Sequence, residues 1–195
     1  PMALLLDEPF TGLDAAARAD ATDLVRDTCA RAGVPALLVS HDFDDVARVA
    51  SQVAVIEEGT VSQIGSPHAL SATPRTAYVA ALAGVNAFTG TATRSGRLTR
   101  VDRPSGPPIW SPDAVVGRVL ASVHPADVRL STSQPADAEN ALPARVVGRI
   151  PRGARHRVDL ALPESMVAEV GPADPGQPGE DIWAVWTAGA TRLAG

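Results

Sequence analysis

Leu4-Leu5-Leu6-Asp7-Glu8-Pro9-Phe10-Thr11-Gly12-Leu13-Asp14 places two adjacent carboxylates directly behind an apolar run. The run from Met2 to Leu6 has no polar break, the pattern of a strand buried on both faces. Asp14 then stands as an N-cap for a helix over 15–32, with the stripe Ala17, Ala21, Leu24, Val25, Cys29 and Ala32. Gly33 ends that helix, and Pro35 follows. A second apolar strand, 36–40, leads into a short helix over 43–50 capped by Asp42. Its inward residues are expected to be Phe43, Val46, Ala47, Val49 and Ala50. Residues 52–65 read as a hairpin turning at Glu58-Gly59, and 67–83 as two short helices opened by Pro67 and Pro74. Strand and helix alternating over short links predict an α/β unit with a parallel sheet across residues 1–84.

After Gly84 the pattern changes. Segments 87–94, 114–123, 142–150, 156–162 and 181–188 are rich in β-branched or alternating residues, separated by Pro/Gly clusters at 103–108 and 171–179. No helical stripe of useful length remains, so residues 85–195 are expected to be all-β, a small barrel of short strands. Stretches 87–131 and 142–193 are partly similar and suggest an internal repeat. Trp183 and Trp186 are three apart and point to opposite faces of a strand, so at least one belongs in the core.

Composition narrows the function. The formal charge is −5 and the pI about 5.3. That argues against a nucleic-acid surface, which needs clustered excess base. All 17 basic residues are arginine, and lysine is absent. The single Cys29 rules out an internal disulfide framework and is expected to be a buried structural thiol. No apolar run approaches the roughly 18–20 residues of a membrane span, so any membrane role is expected to come through a partner.

A carboxylate at the C-terminal end of a buried parallel strand sits where α/β sheets bind ligands. Asp7 there could hold Mg²⁺ through water, and Glu8, pointing elsewhere, could orient and deprotonate a water. Taken alone, Asp-Glu-Pro reads better as an ordinary solvated strand end. The surrounding residues change that. Leu4 through Pro9 resembles the Walker B segment of ATP-binding-cassette (ABC) transporter ATPases. Thr11-Gly12-Leu13-Asp14 is similar to the family's D-loop, and Leu37 through Asp42 resembles the strand leading into its switch histidine. His41 follows Glu8 by 33 positions, room for one helix and one strand. The resemblance implies Glu8 as catalytic base and Asp7 as the Mg²⁺-ATP residue. It also implies His41 at the γ-phosphate and Asp14 at the interface of a nucleotide-sandwich homodimer.

A complete site of this family also needs a G-x-x-x-x-G-K-[ST] loop, and a chain without lysine has none. The Q-loop and the LSGGQ-type signature are missing too. The expectation is therefore a C-terminal fragment of an import ATPase, without ATP hydrolysis of its own. Its strand face is expected to rearrange or to be hidden in an oligomer. In the intact parent, the family implies a transmembrane permease as partner and a cytoplasmic location at the inner face of the membrane.

The second half resembles the TOBE domain of one importer class. Val85 through Gly90 is similar to its entry segment, and Val123 through Val128 to its Arg-Pro-Glu-Asp-Val step, with His124 at the arginine position. Asn140 through Val146 and Ala190 through Leu193 look most like molybdate-type importers, whose Ser-Ala-Arg-Asn segment supplies part of an oxyanion pocket. Here Asp137-Ala138-Glu139-Asn140 stands instead, with acids that repel a dianion; Asn140 alone remains as a possible ligand residue. Arg149, Arg152, Arg155, His156 and Arg157 form a basic run, read as a solvated hairpin edge or an anion-binding patch. The rival to the ATPase reading is a non-catalytic module for ligand binding, with an oxyanion such as molybdate, or for dimerisation.

Overall fold

The computed structural model describes residues 3–195. They fall into two compact units, one up to Leu70 and one from Ser71 to Gly195. Met2, which opens the apolar run, lies outside the described residues.

In the first unit, strands β1 (Leu4–Asp7) and β2 (Ala36–Val39) pair in parallel, with Leu5 opposite Leu37 and Asp7 opposite Val39. Helix α1 (Ala15–Ala32) crosses between them. Asp14 caps it, accepting from Ala16 N and Ala17 N at 3.0 and 2.9 Å, and Gly33 closes it with φ 62°. Helix α2 (Phe43–Val49) starts at Asp42, and β3 (Val53–Glu57) and β4 (Thr60–Gly65) make a hairpin. Glu58 and Gly59 both take positive φ there, as a tight hairpin turn demands. Helices α3 (Pro67–Ala72) and α4 (Ala77–Leu82) follow, the latter capped by Thr76 and not opened at Pro74.

Four expectations need correction. The β1–β2 pair is covered on one face only: Leu5, Leu37 and Val39 are 75%, 63% and 52% exposed. The buried side of α1 is also rotated from the apolar stripe. Leu24 is exposed, while Thr22 is fully buried because its hydroxyl donates to the Arg18 and Ala19 carbonyls. Cys29 is half-buried. On α2, Ala47 is exposed and Asp45 is buried in its place.

The second unit joins α4 to ten strands. Val85 N–H donates to Ala80 O at 2.8 Å, so α4 runs straight into β5. The contacts therefore divide the chain after Leu70, while composition changes after Gly84. The first five strands are β5 (Asn86–Ser95), β6 (Leu98–Asp102), β7 (Ile109–Ser111), β8 (Gly117–Val123) and β9 (Arg129–Ser131). The second five are β10 (Asn140–Arg152), β11 (Arg155–Ala161), β12 (Ser165–Val170), β13 (Asp181–Trp186) and β14 (Arg192–Ala194). They build two antiparallel sheets, β14-β8-β5-β6-β7 and β12-β11-β10-β13-β9. The internal repeat is thus real, and each half lends its fifth strand to the other's sheet.

The two sheets share one apolar core that includes Phe88, Leu142, Val146, Val158, Leu160, Ile182 and Trp186. Phe88 and Trp186 stack across it, centroids 6.2 Å apart. Of the two tryptophans, Trp186 is the core residue; Trp183 is half-buried.

Candidate functional site

Glu8 N–H donates to Val39 O at 2.9 Å, carrying the β1–β2 pairing one residue past the strand. The backbone then turns: Glu8 has φ 46°, an uncommon conformation for a non-glycine residue, and such strain concentrates at functional sites. His41, just beyond β2, places Nδ1 2.8 Å from Glu8 Oε1. Thr11 Oγ1 donates to Glu8 Oε2 at 3.2 Å. An ionised carboxylate only accepts, so the His41 proton sits on Nδ1 and leaves Nε2 facing outward. The hydrogen bond from His41 holds the Glu8 carboxyl below its usual range, and the same bond raises the His41 pKa above 6.5.

Asp42 holds the base of this arrangement. One of its oxygens caps α2 through Asp44 N and Asp45 N; the other accepts from Arg18 at 2.7 Å. Arg18 also lies 3.8 Å from buried Asp45. Burial raises the Asp45 pKa first, and Asp42 adds to it, while Arg18 opposes both. Arg18, Asp42 and Asp45 therefore fasten α1 to α2 directly beside His41. The sequence reading missed Arg18 and Asp45, since neither lies on an apolar stripe. Asp7 is exposed at the end of β1, and Asp14 is exposed with its carboxylate engaged in the α1 cap. Among the described residues no group of three His, Cys, Asp or Glu converges to hold a metal. A Mg²⁺ at Asp7 would thus complete its shell with water and phosphate oxygens, which suits that ion.

Asn140 is fully buried. Its Oδ1 accepts from Trp110 N at 2.7 Å and its Nδ2 donates to Trp110 O at 3.0 Å, so the side chain imitates a strand and pairs with edge strand β7. Asn86 does the same to Val167 on edge strand β12, at 2.7 and 2.8 Å. Glu139 accepts from Ala188 N at 2.7 Å. His124 accepts from Ala126 N, capping the 3₁₀ turn Pro125–Asp127.

The basic run is not a uniform solvated edge. Arg149 is half-buried and donates to the carbonyls of Gly171, Pro172, Asp174, Pro175 and Gly176, while its Nε donates to His156 Nδ1 at 2.8 Å. One guanidinium thereby shapes the whole β12–β13 loop.

A parallel strand pair ending in a Glu–His contact is followed in the chain by a duplicated β unit, an α/β-plus-β organisation. Residues 121–193 match the TOBE domain family. The molybdenum import ATP-binding protein ModC of Mycobacterium tuberculosis is 43% identical over 98 residues, 50% of this chain and 27% of that protein. The glucose import ATP-binding protein GlcV of Saccharolobus solfataricus is 38% identical over 132 residues, covering 67% and 36%. The sulfate/thiosulfate import ATP-binding protein CysA of Burkholderia mallei is 32% identical over 170 residues, covering 87% and 47%. The molybdate-bound crystal structure of the cytoplasmic molybdate-binding protein ModG is 22% identical with a TM-score of 0.48, over 56% of this chain and 94% of that one. The chain carries a TOBE domain and, over part of its length, is a homologue of the ATP-binding subunits of ABC importers. It spans about a quarter to about half the length of those relatives.

Proposed function

We propose that this chain is the C-terminal portion of the ATP-hydrolysing subunit of an ABC importer. In this reading residues 1–84 are the tail of its nucleotide-binding domain, and 85–195 form a regulatory TOBE-type domain. The observation that carries the reading is the 2.8 Å contact of His41 with Glu8 at the end of a parallel strand pair. Two residues 33 positions apart meet where such sheets bind ligands.

Glu8, kept ionised by His41, takes the proton of the attacking water, and Thr11 fixes the second carboxylate oxygen. His41 orients that carboxylate through Nδ1 and presents its outward ring edge to the γ-phosphate. Asp7 serves the Mg²⁺ of Mg-ATP, which supplies neutralisation of phosphate charge when bound. Asp14 acts at the homodimer interface while capping α1. The partner is a transmembrane permease, and the assembled subunit works at the cytoplasmic face of the membrane. Asn140 we assign to clamping the β unit, since its amide is occupied by Trp110. The non-catalytic reading, with an oxyanion such as molybdate at Asn140, would need that clamp to open.

The 195 residues contain no lysine, so no phosphate loop of the Walker type is present in them. The chain alone is expected to release no phosphate from ATP. Fused behind the N-terminal portion of a ModC-type relative, it should gain protein-proportional ATPase activity. Glu8→Gln should then lower that activity about a hundredfold or more. A fusion that binds ATP but hydrolyses equally well with Gln at position 8 overturns the assignment.

A further inference from the structure

His41 lies in the turn between β2 and α2, and its side chain is 79% exposed. It meets Glu8, whose side chain is itself 36% exposed. One contact between two such exposed groups is worth little in water and does not hold an imidazole in place by itself. The direction of the ring is therefore set by the backbone that carries it. Ser40 Oγ accepts from Asp42 N at 3.1 Å, closing a turn around His41. Asp42 then divides its carboxylate. Its Oδ1 takes the Asp44 and Asp45 amides at 2.9 and 3.3 Å, and its Oδ2 takes Arg18 Nη1 at 2.7 Å.

Arg18 is anchored on the Glu8 side of that contact. Its N–H donates to Asp14 O at 2.9 Å, in the α1 turn that the Asp14 carboxylate caps. The loop from Glu8 to Asp14 is itself tightly turned. Thr11 N–H donates to Glu8 O at 3.2 Å and Leu13 N–H to Phe10 O at 3.3 Å, with Phe10 buried. These contacts close a ring: Glu8, the 9–14 loop, Arg18, Asp42, His41 and Glu8 again. The charge-assisted Arg18–Asp42 bond is the polar link between its α1 side and its α2 side. Asp45, at 3.8 Å from Arg18, is beyond hydrogen-bond distance. Both charges also reach the imidazole: Glu8 raises the His41 pKa most, Asp42 adds to that, and Arg18 opposes it.

We propose that Arg18 is a positioning residue for the Glu8–His41 pair, acting through Asp42 to hold His41 Nδ1 on the Glu8 carboxylate. Its bearing on hydrolysis rests on the ATPase reading; the contact itself does not, so the test uses the full chain without nucleotide. The readout is the nitrogen NMR shifts of the His41 ring above its titration, which report which nitrogen carries the proton. In the unsubstituted chain that proton is expected on Nδ1. Arg18→Ala should lower the Nδ1–H fraction about twofold or more. Asp42→Asn, which keeps a capping oxygen and loses the charge, should do the same. The double variant should lose no more than either single one, because both act through one link. Arg18→Lys, which returns the charge, should recover most of the Nδ1–H fraction. A proton that stays on Nδ1 in both single variants overturns the proposal. So does a double variant whose effect is the sum of the two, or an Arg18→Lys variant that behaves like Arg18→Ala. Failure of the ATPase reading would instead show as a fusion without activity, and would leave this readout unmoved.

Discussion

Glu8 and His41 answer each other's titration. His41 has a raised pKa, so its share of stability is present below about 6.5 and is lost as pH rises through the folded value. Glu8 has a lowered pKa, so its share is present above 4.5 and is lost as pH falls through its own folded value. The pair is therefore complete between those two reference values. In a proton NMR titration His41 should titrate above 6.5, and Glu8→Gln should return it toward that value. The asparagines make a harsher test. Asn140→Ala leaves the Trp110 N–H and carbonyl without their partner, and Asn86→Ala does the same at Val167; each should cost about 2 kcal/mol in urea unfolding. At this scale the sequence was readable wherever one residue acts on near neighbours. The Asp14, Gly33 and Asp42 caps follow from local rules. Thr22 and Asp45 did not, because their burial depends on the Arg18 carbonyl and the Arg18 guanidinium, partners a hydropathy stripe does not contain.

Among the elements, the Arg149 loop and the close approach of β6 to Gly90 in β5 are the points of greatest leverage. Arg149→Ala leaves five carbonyls without their donor at once, so the amides of Gly171, Ala173, Asp174 and Gly176 should exchange faster with deuterium while the core strands stay protected. A Cβ at Gly90 would stand 2.6 Å from Val101 Cγ1 and 2.7 Å from Asp102 O, so Gly90→Ala should lower stability by about 1–3 kcal/mol. The longer strands could be read from their alternation, whereas β7, β9 and β14 have three residues each, too few for a period to show. Their places are fixed by distant partners, such as Leu193 opposite Ala121.

Across the whole chain the division of labour is uneven. The continuous apolar core belongs to the second unit, whereas the first leaves Leu5, Leu37 and Val39 uncovered. Leu37→Arg should therefore shift the unfolding midpoint by no more than about 0.5 kcal/mol, and it should reduce any concentration-dependent association seen by sedimentation. The motif that identified the α/β unit was legible because its chemistry is short-range along the chain. The residue-by-residue alignment of the two β repeats was not, since it appears only once register relates 91 to 145 and 118 to 181.

The exchange of fifth strands bears on how the chain is made. Translation delivers β5 to β8 early, yet their sheet gains its outer member only when residues 192–194 arrive and pair with 120–122. During synthesis the β8 edge therefore stays unpaired until the last strand of the second half arrives. Non-local closure of this kind slows folding and rewards a chaperone that shields the waiting edge.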